Sequence, residues 1–189
     1  MKRQFALGLG VAAVILTIPF ASKLPVVAGL FHSDVAIAKA MQHPKVALNL
    51  VGEKQIISKD AQGKEVISWQ GTNQLSVQSG DVLRYRLVGK NEGDRAVKNL
   101  TLNQPIPKGT VFILKSAQAV VASQSAQITY SIDGGRSFVA APTVQVTLAN
   151  GKVETRPAPA EAYTHIRWNL PGTLAAKAPI SAEYQVKVR

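Results

Sequence analysis

A chain of 189 residues suits one domain, or one domain with a targeting segment, and its 46% hydrophobic content argues against a disordered polymer. It has no cysteine, which excludes disulfide staples, thiolate metal centres and cysteine nucleophiles. Its 22 Lys and Arg against 11 Asp and Glu give a net charge of +11, which favours anionic partners, although the basic residues are scattered.

Met1-Lys2-Arg3 precedes an apolar block over 5–21, and Ala36-Ile37-Ala38 follows later. A positive start, an apolar middle and a small-x-small site predict a secretory signal peptide over 1–38. Val26-Val27-Ala28 is an earlier alternative cleavage site, and an uncleaved N-terminal anchor stays open because 5–21 approaches the length of a membrane span. Either way the chain is expected to be exported, to the periplasm or the cell surface.

Residues 39–44 read as a linker. Val46, Leu48 and Leu50 alternate with Ala47 and Asn49, and Gly52 interrupts before 55–57. Lys59-Asp60-Ala61-Gln62-Gly63 predicts a turn, and 65–70, with Val66, Ile67 and Trp69, returns as a hairpin partner. A short strand is expected over 75–78. Together 39–78 are expected to pack on or extend a sandwich formed by 79–189.

The strongest strand pattern lies at 79–110. Leu83, Tyr85 and Leu87 fall on one face, Arg84 and Arg86 on the other. Asn91-Glu92-Gly93-Asp94 supplies residues that tolerate positive φ, and 96–103 returns until Pro105 and Pro107 withdraw two ladder donors. The reading is a β-hairpin with one apolar side. The run 111–114 predicts a strand buried on both sides, and 117–126 has no clear period.

Residues 127–132 predict a strand, turned by Asp133-Gly134-Gly135 toward Phe138. Val144, Val146 and Leu148 alternate before Asn150-Gly151, the dipeptide preferred in two-residue type I′ turns, and 152–156 returns. In 163–170, Ile166 and Trp168 separate from His165 and Arg167. The last strand sets Ile180, Ala182, Tyr184, Val186 and Val188 against Ser181, Glu183, Gln185, Lys187 and Arg189. Roughly nine to eleven short antiparallel strands with turn signals between them predict an all-β sandwich.

Gly80-Asp81, Asn91-Glu92-Gly93, Pro107-Lys108-Gly109, Trp168 and Gly172-Thr173-Leu174 occur in an order that resembles a known pattern. It is that of the immunoglobulin-like domain of unknown function, the family numbered eleven, that bacterial surface proteins often carry in tandem. The likeness covers about 79–189, and 162–168 is similar to forms in small exported cyanobacterial proteins. Ala175-Ala176-Lys177-Ala178-Pro179 replaces the pattern's Pro-Gly turn, and the domain is single rather than repeated. The resemblance implies an immunoglobulin-like β-sandwich in the bacterial cell envelope and implies no activity.

Ser131-x-Asp133-x-Gly135-x-Ser137-Phe138 is similar to the Asp-box hairpin of sialidase-type propellers. One box cannot build a propeller, so Ser131, Asp133, Gly135 and Phe138 are read as a structural turn. Beyond residue 38 only His43 and His165 remain, neither with ligand spacing, and no loop offers the oxygens Ca²⁺ needs, so no metal or cofactor is expected. No Gly-x-Ser-x-Gly elbow or acidic cluster occurs, and no catalysis is expected. Arg84, Arg86 and Lys98 form a candidate anion-contact face for acidic glycan or lipid headgroups. Few aromatics accompany the basic residues, which disfavours nucleic acid. Membrane contact is expected only through an uncleaved N-terminal segment. Asn99-Leu100-Thr101 fits the N-glycosylation pattern, but in a bacterial setting Asn99 is read as an ordinary strand residue.

The expectation is a non-enzymatic exported module making protein or glycan contacts. The alternatives are a periplasmic assembly or chaperone-like factor using an edge strand and, third, a hydrolase of cell-wall or glycan substrates.

Overall fold

Alternating side chains give most strands one apolar side, and two antiparallel sheets close on those sides. The computed structural model describes residues 15–17, 45–121 and 124–189. The strands are β1 (Ile15–Thr17), β2 (Val46–Lys59), β3 (Glu65–Gly71), β4 (Val82–Asn91), β5 (Val97–Pro105), β6 (Thr110–Phe112) and β7 (Gln118–Val121). They continue with β8 (Gln124–Ser125), β9 (Gln127–Ser131), β10 (Thr143–Thr147), β11 (Val153–Pro157), β12 (His165–Leu174) and β13 (Pro179–Val188). Among the described residues there is no α-helix, only single 3₁₀ turns at Thr72–Gln74 and Ala160–Ala162.

A four-stranded sheet runs β1-β5-β12-β9. A seven-stranded sheet runs β3-β2-β4-β13-β7-β8, with β6 also on β13, and β10 and β11 form a separate ribbon. The all-β sandwich expected from the alternation is the observed architecture. Its thirteen described strands exceed the expected range because small-residue segments such as β7 and β8 carry no pattern that announces them. The apolar block at 5–21 contributes β1, which pairs with Thr101–Asn103 of β5. The rest of 1–38, both cleavage sites included, lies outside the described residues.

Leu83, Leu87, Ala182, Tyr184 and Val186 of the larger sheet meet Leu100, Leu102, Ile166 and Trp168 of the smaller. Trp168 and Tyr184 are fully buried with ring centroids 6.1 Å apart, and Tyr85 stacks on Tyr184 at 5.4 Å. Each such side chain contributes roughly 1.5–3 kcal/mol on burial, which makes this layer the main source of stability. Burial also raises the Tyr184 hydroxyl far above the ordinary tyrosine range. That phenol stays neutral and donates a long bond to the Pro105 carbonyl at 3.4 Å.

The structure corrects the expected hairpin at 79–110. β4 pairs with β2 and β13, whereas β5 pairs with β12 and β1, so the two strands face each other across the core. Asn91-Glu92-Gly93-Asp94 is thus an arch between sheets. Its buried Asn91 amide donates to the carbonyls of Arg95, Leu174 and Ala175 at 2.7–3.3 Å, and its oxygen accepts from Gly93 N–H at 3.1 Å. An arch lets both alternating strands bury their leucines against one another. A hairpin would have put them side by side in one sheet.

Four smaller expectations also change. The 111–114 run is not buried throughout: β6 ends at Phe112 and Leu114 is 45% exposed. Residues 75–78 form no strand, because the chain turns at Thr72–Gln74 and leaves the sheet. Asn150-Gly151 closes a three-residue loop: Leu148 N–H donates to the Lys152 carbonyl and Gly151 N–H to the Leu148 carbonyl. Gly151 takes φ 78°, the position that a type I turn with a left-handed third residue requires. Asn99 is not an ordinary strand residue, for it sits at φ 50°.

Candidate binding face

The outer side of the four-stranded sheet carries three cross-strand rows. Thr101, Asn169 and Gln127 stand in register, as do Asn103, Arg167 and Thr129, and then Pro105, His165 and Ser131. The residues between them, Leu100, Leu102, Ile166 and Trp168, point into the core, so the pleat alone separates the two sets. Amides and hydroxyls dominate the face. Arg167 is the cation of the middle row, and it donates from Nε to Asn103 Oδ1 at 2.7 Å while its guanidinium lies 3.6 Å from the centre of the Phe138 ring.

At one end the ladder is irregular. β12 pairs Leu170 with Leu100 and then Thr173 with Lys98, so Pro171 and Gly172 together oppose Asn99. Asn99 at φ 50° and Gly172 at φ 89° provide the left-handed conformations the bulge needs. The twist opens a groove of about 230 Å³ lined by Asn99, Leu100, Thr101, Gln127, Asn169, Leu170 and Pro171. Pro171 gives it exposed apolar surface, while the Leu100 and Leu170 side chains stay in the core beneath. Asn99, Gln127, Asn169 and Thr101 give it donors and acceptors, and Thr101 Oγ1 donates to Asn169 Oδ1 at 3.3 Å. The hydroxyl of Thr129, in the next row, is buried without a hydrogen-bond partner among the described residues.

Ser131, Asp133 and Gly135 meet in one turn at the far end of the same face. Ser131 Oγ donates to Asp133 Oδ1 at 2.7 Å and accepts from Gly135 N–H at 2.8 Å. Asp133 also accepts from the Arg136 and Ser137 amides at 3.0 Å. These donors, Ser131 first and Ser137 next, hold the Asp133 carboxyl far below its ordinary 3.8. Phe138 lies 6.4 Å from His165 and under Arg167, joining the turn to the sheet face. His165 lines the turn so closely that a Cβ on Gly135 would sit 3.3 Å from its ring. Burial lowers the His165 pKa, with the Asp133 charge opposing. His165 Nδ1 contacts Thr164 Oγ1 at 3.1 Å.

The expected cationic face does not assemble. Arg84 and Arg86 do share the outer side of β4, but Lys98 belongs to β5 in the opposite sheet. Arg84 pairs with Glu53 at 2.7 Å and stacks 4.3 Å from the Trp69 ring. Arg86 lies 3.8 Å from Glu53 and 3.5 Å from Glu183. Both guanidinium groups therefore face carboxylates contributed by the flanking strands β2 and β13, which period-two reading of β4 alone could not reveal.

Among the described residues no group of three or more His, Cys, Asp or Glu is placed to hold a metal ion. No helix among them is long and apolar enough to cross a membrane. Comparison with models of protein families, with curated proteins and with solved structures gave no match to this chain. The groove residues Asn99, Thr101, Gln127 and Asn169 were missed by the sequence reading. The available signal was the run of uncharged polar residues at alternate positions of β5, β9 and β12.

Proposed function

We propose that the chain is an exported, non-catalytic binding module of the bacterial cell envelope, one that engages uncharged glycan through the outer face of its four-stranded sheet. The observation that carries this reading is the groove at the β5–β12 bulge, where three amides and a hydroxyl stand beside the exposed ring of Pro171. Sugar hydroxyls both donate and accept, as these side chains do, and their C–H faces pack on apolar surface. At about 230 Å³ the groove is smaller than the usual 300–1,000 Å³ of drug-sized ligand sites, which suits one unit of a polymer. Export and envelope placement rest on the pattern of residues 1–38 and on the resemblance to the bacterial surface domain.

Isothermal titration with neutral and acidic envelope oligosaccharides tests this reading. Neutral chains are expected to bind with little dependence on salt, and Asn169→Ala is expected to weaken them about tenfold, the loss of one good hydrogen bond. Binding of acidic chains alone, lost at high salt, would reject the reading, as would release of shortened sugars. One observation favours a second reading, the edge-strand assembly factor: β5 accepts β1 as an added strand along Thr101–Asn103. Competition between an extended apolar peptide and residues 15–17 for that edge would separate the two.

A further inference from the structure

The β2–β3 hairpin overruns the sandwich. β2 pairs with β4 only from Val46 to Lys54, but it stays paired with β3 out to Lys59 opposite Glu65. On this overhang Ile57 and Ile67 stand directly opposite each other, 59% and 57% exposed, and Val66 is 42% exposed. The far edge of β3 pairs with no strand among the described residues. Its sequence, EVISWQG, contains neither proline nor lysine, the residues that commonly guard an open edge.

The hydrogen-bond phase of that edge follows from the turn. Asp60 N–H donates to the Lys64 carbonyl at 2.9 Å, so this pair is of the hydrogen-bonded kind. Such pairs alternate along an antiparallel ladder. Val66, Ser68 and Gln70 therefore direct their backbone groups at β2. Glu65, Ile67 and Trp69 direct theirs outward.

We infer that this edge docks a second copy of the chain, β3 pairing antiparallel with β3 about a two-fold axis at Ile67. In that register Ile67 of each copy exchanges both backbone bonds with Ile67 of the other. One continuous row then reads Ile57, Ile67, Ile67, Ile57, covering the overhang's two most exposed large apolar side chains. The same register sets Glu65 of one copy opposite Trp69 of the other, whose ring carries the Arg84 guanidinium at 4.3 Å. The edge is complementary to itself in apolar surface and in hydrogen-bond phase, and this selects a second copy over an unrelated strand. Two copies would also present two glycan grooves, raising avidity without new contacts.

The absence of cysteine makes the test direct. In the full chain, Ile67→Cys is expected to form a covalent dimer under mild oxidation, because hydrogen-bonded antiparallel partners have Cα atoms about 5.5 Å apart, within disulfide reach. Glu65→Cys and Trp69→Cys face each other's positions rather than their own, and each alone should cross-link at least about tenfold more slowly as its distance from the axis grows. Ile67→Pro removes an outward donor and no β2–β3 ladder bond. It should sediment as a monomer at concentrations where the unaltered chain is dimeric, with its β circular dichroism retained. Equal cross-linking at all three positions, fastest cross-linking away from Ile67, a monomeric unaltered chain, or a dimer that survives Ile67→Pro would each overturn the inference. These readouts are independent of the glycan titration, which concerns the other sheet.

Discussion

The two outer sheet faces differ in what their polar groups already do. On the seven-stranded sheet the charges answer one another: Glu53 holds Arg84 and touches Arg86, Glu183 lies beside Arg86, and Gln118 donates to Glu183. On the four-stranded sheet the polar groups are mostly uncharged, and the groove leaves amides and a hydroxyl open to a ligand. A strongly basic composition thus says little about where a partner binds. Cations that neighbouring strands neutralise offer less to an anion than neutral groups offer to another neutral molecule.

The layer common to both faces gives the largest expected effect. Trp168→Ala should cost about 3–5 kcal/mol in urea unfolding, since it empties a fully buried site between the sheets. Both faces should lose their order together. Glu53→Ala should cost less, about 1–3 kcal/mol, by leaving the half-buried Arg84 without its acceptor. That variant sharpens the contrast, because it should raise the anion affinity of that face, seen as stronger salt-sensitive binding to acidic polymer than the unaltered chain shows, while neutral glycan binding stays constant.

The smallest effect concerns pH. The Asp133 carboxyl has a depressed folded pKa, so its contribution to stability is complete above the ordinary value of 3.8 and is lost as pH falls through and below it. The melting temperature should therefore decline as pH drops below about 5, and Asp133→Ala should flatten that decline while lowering stability at neutral pH. An identical acid profile in the variant would show that the turn's hydrogen bonds are not the cause.

Local features were legible in the sequence. The Ser131–Asp133–Gly135 turn could be read because the donors to its Asp133 carboxylate lie within a few residues of it. Strand alternation in β4, β12 and β13 could be read because each buries one side. Neighbour relations could not. Asn91-Glu92-Gly93-Asp94 has the composition of a hairpin turn, and only the docking of Leu83 and Leu87 on Leu100 and Leu102 makes it an arch. The groove was hidden for the same reason, since Asn99 and Asn169 meet only after β5 and β12 pair with a bulge.

Amide chemical-shift mapping during titration with a neutral envelope oligosaccharide tests the central claim most directly. Perturbations should cluster at Asn99–Thr101, Gln127–Thr129 and Arg167–Leu170, with Glu53, Arg84, Arg86 and Glu183 unmoved. Shifts centred on those four charged residues, or none at saturating sugar, would contradict it.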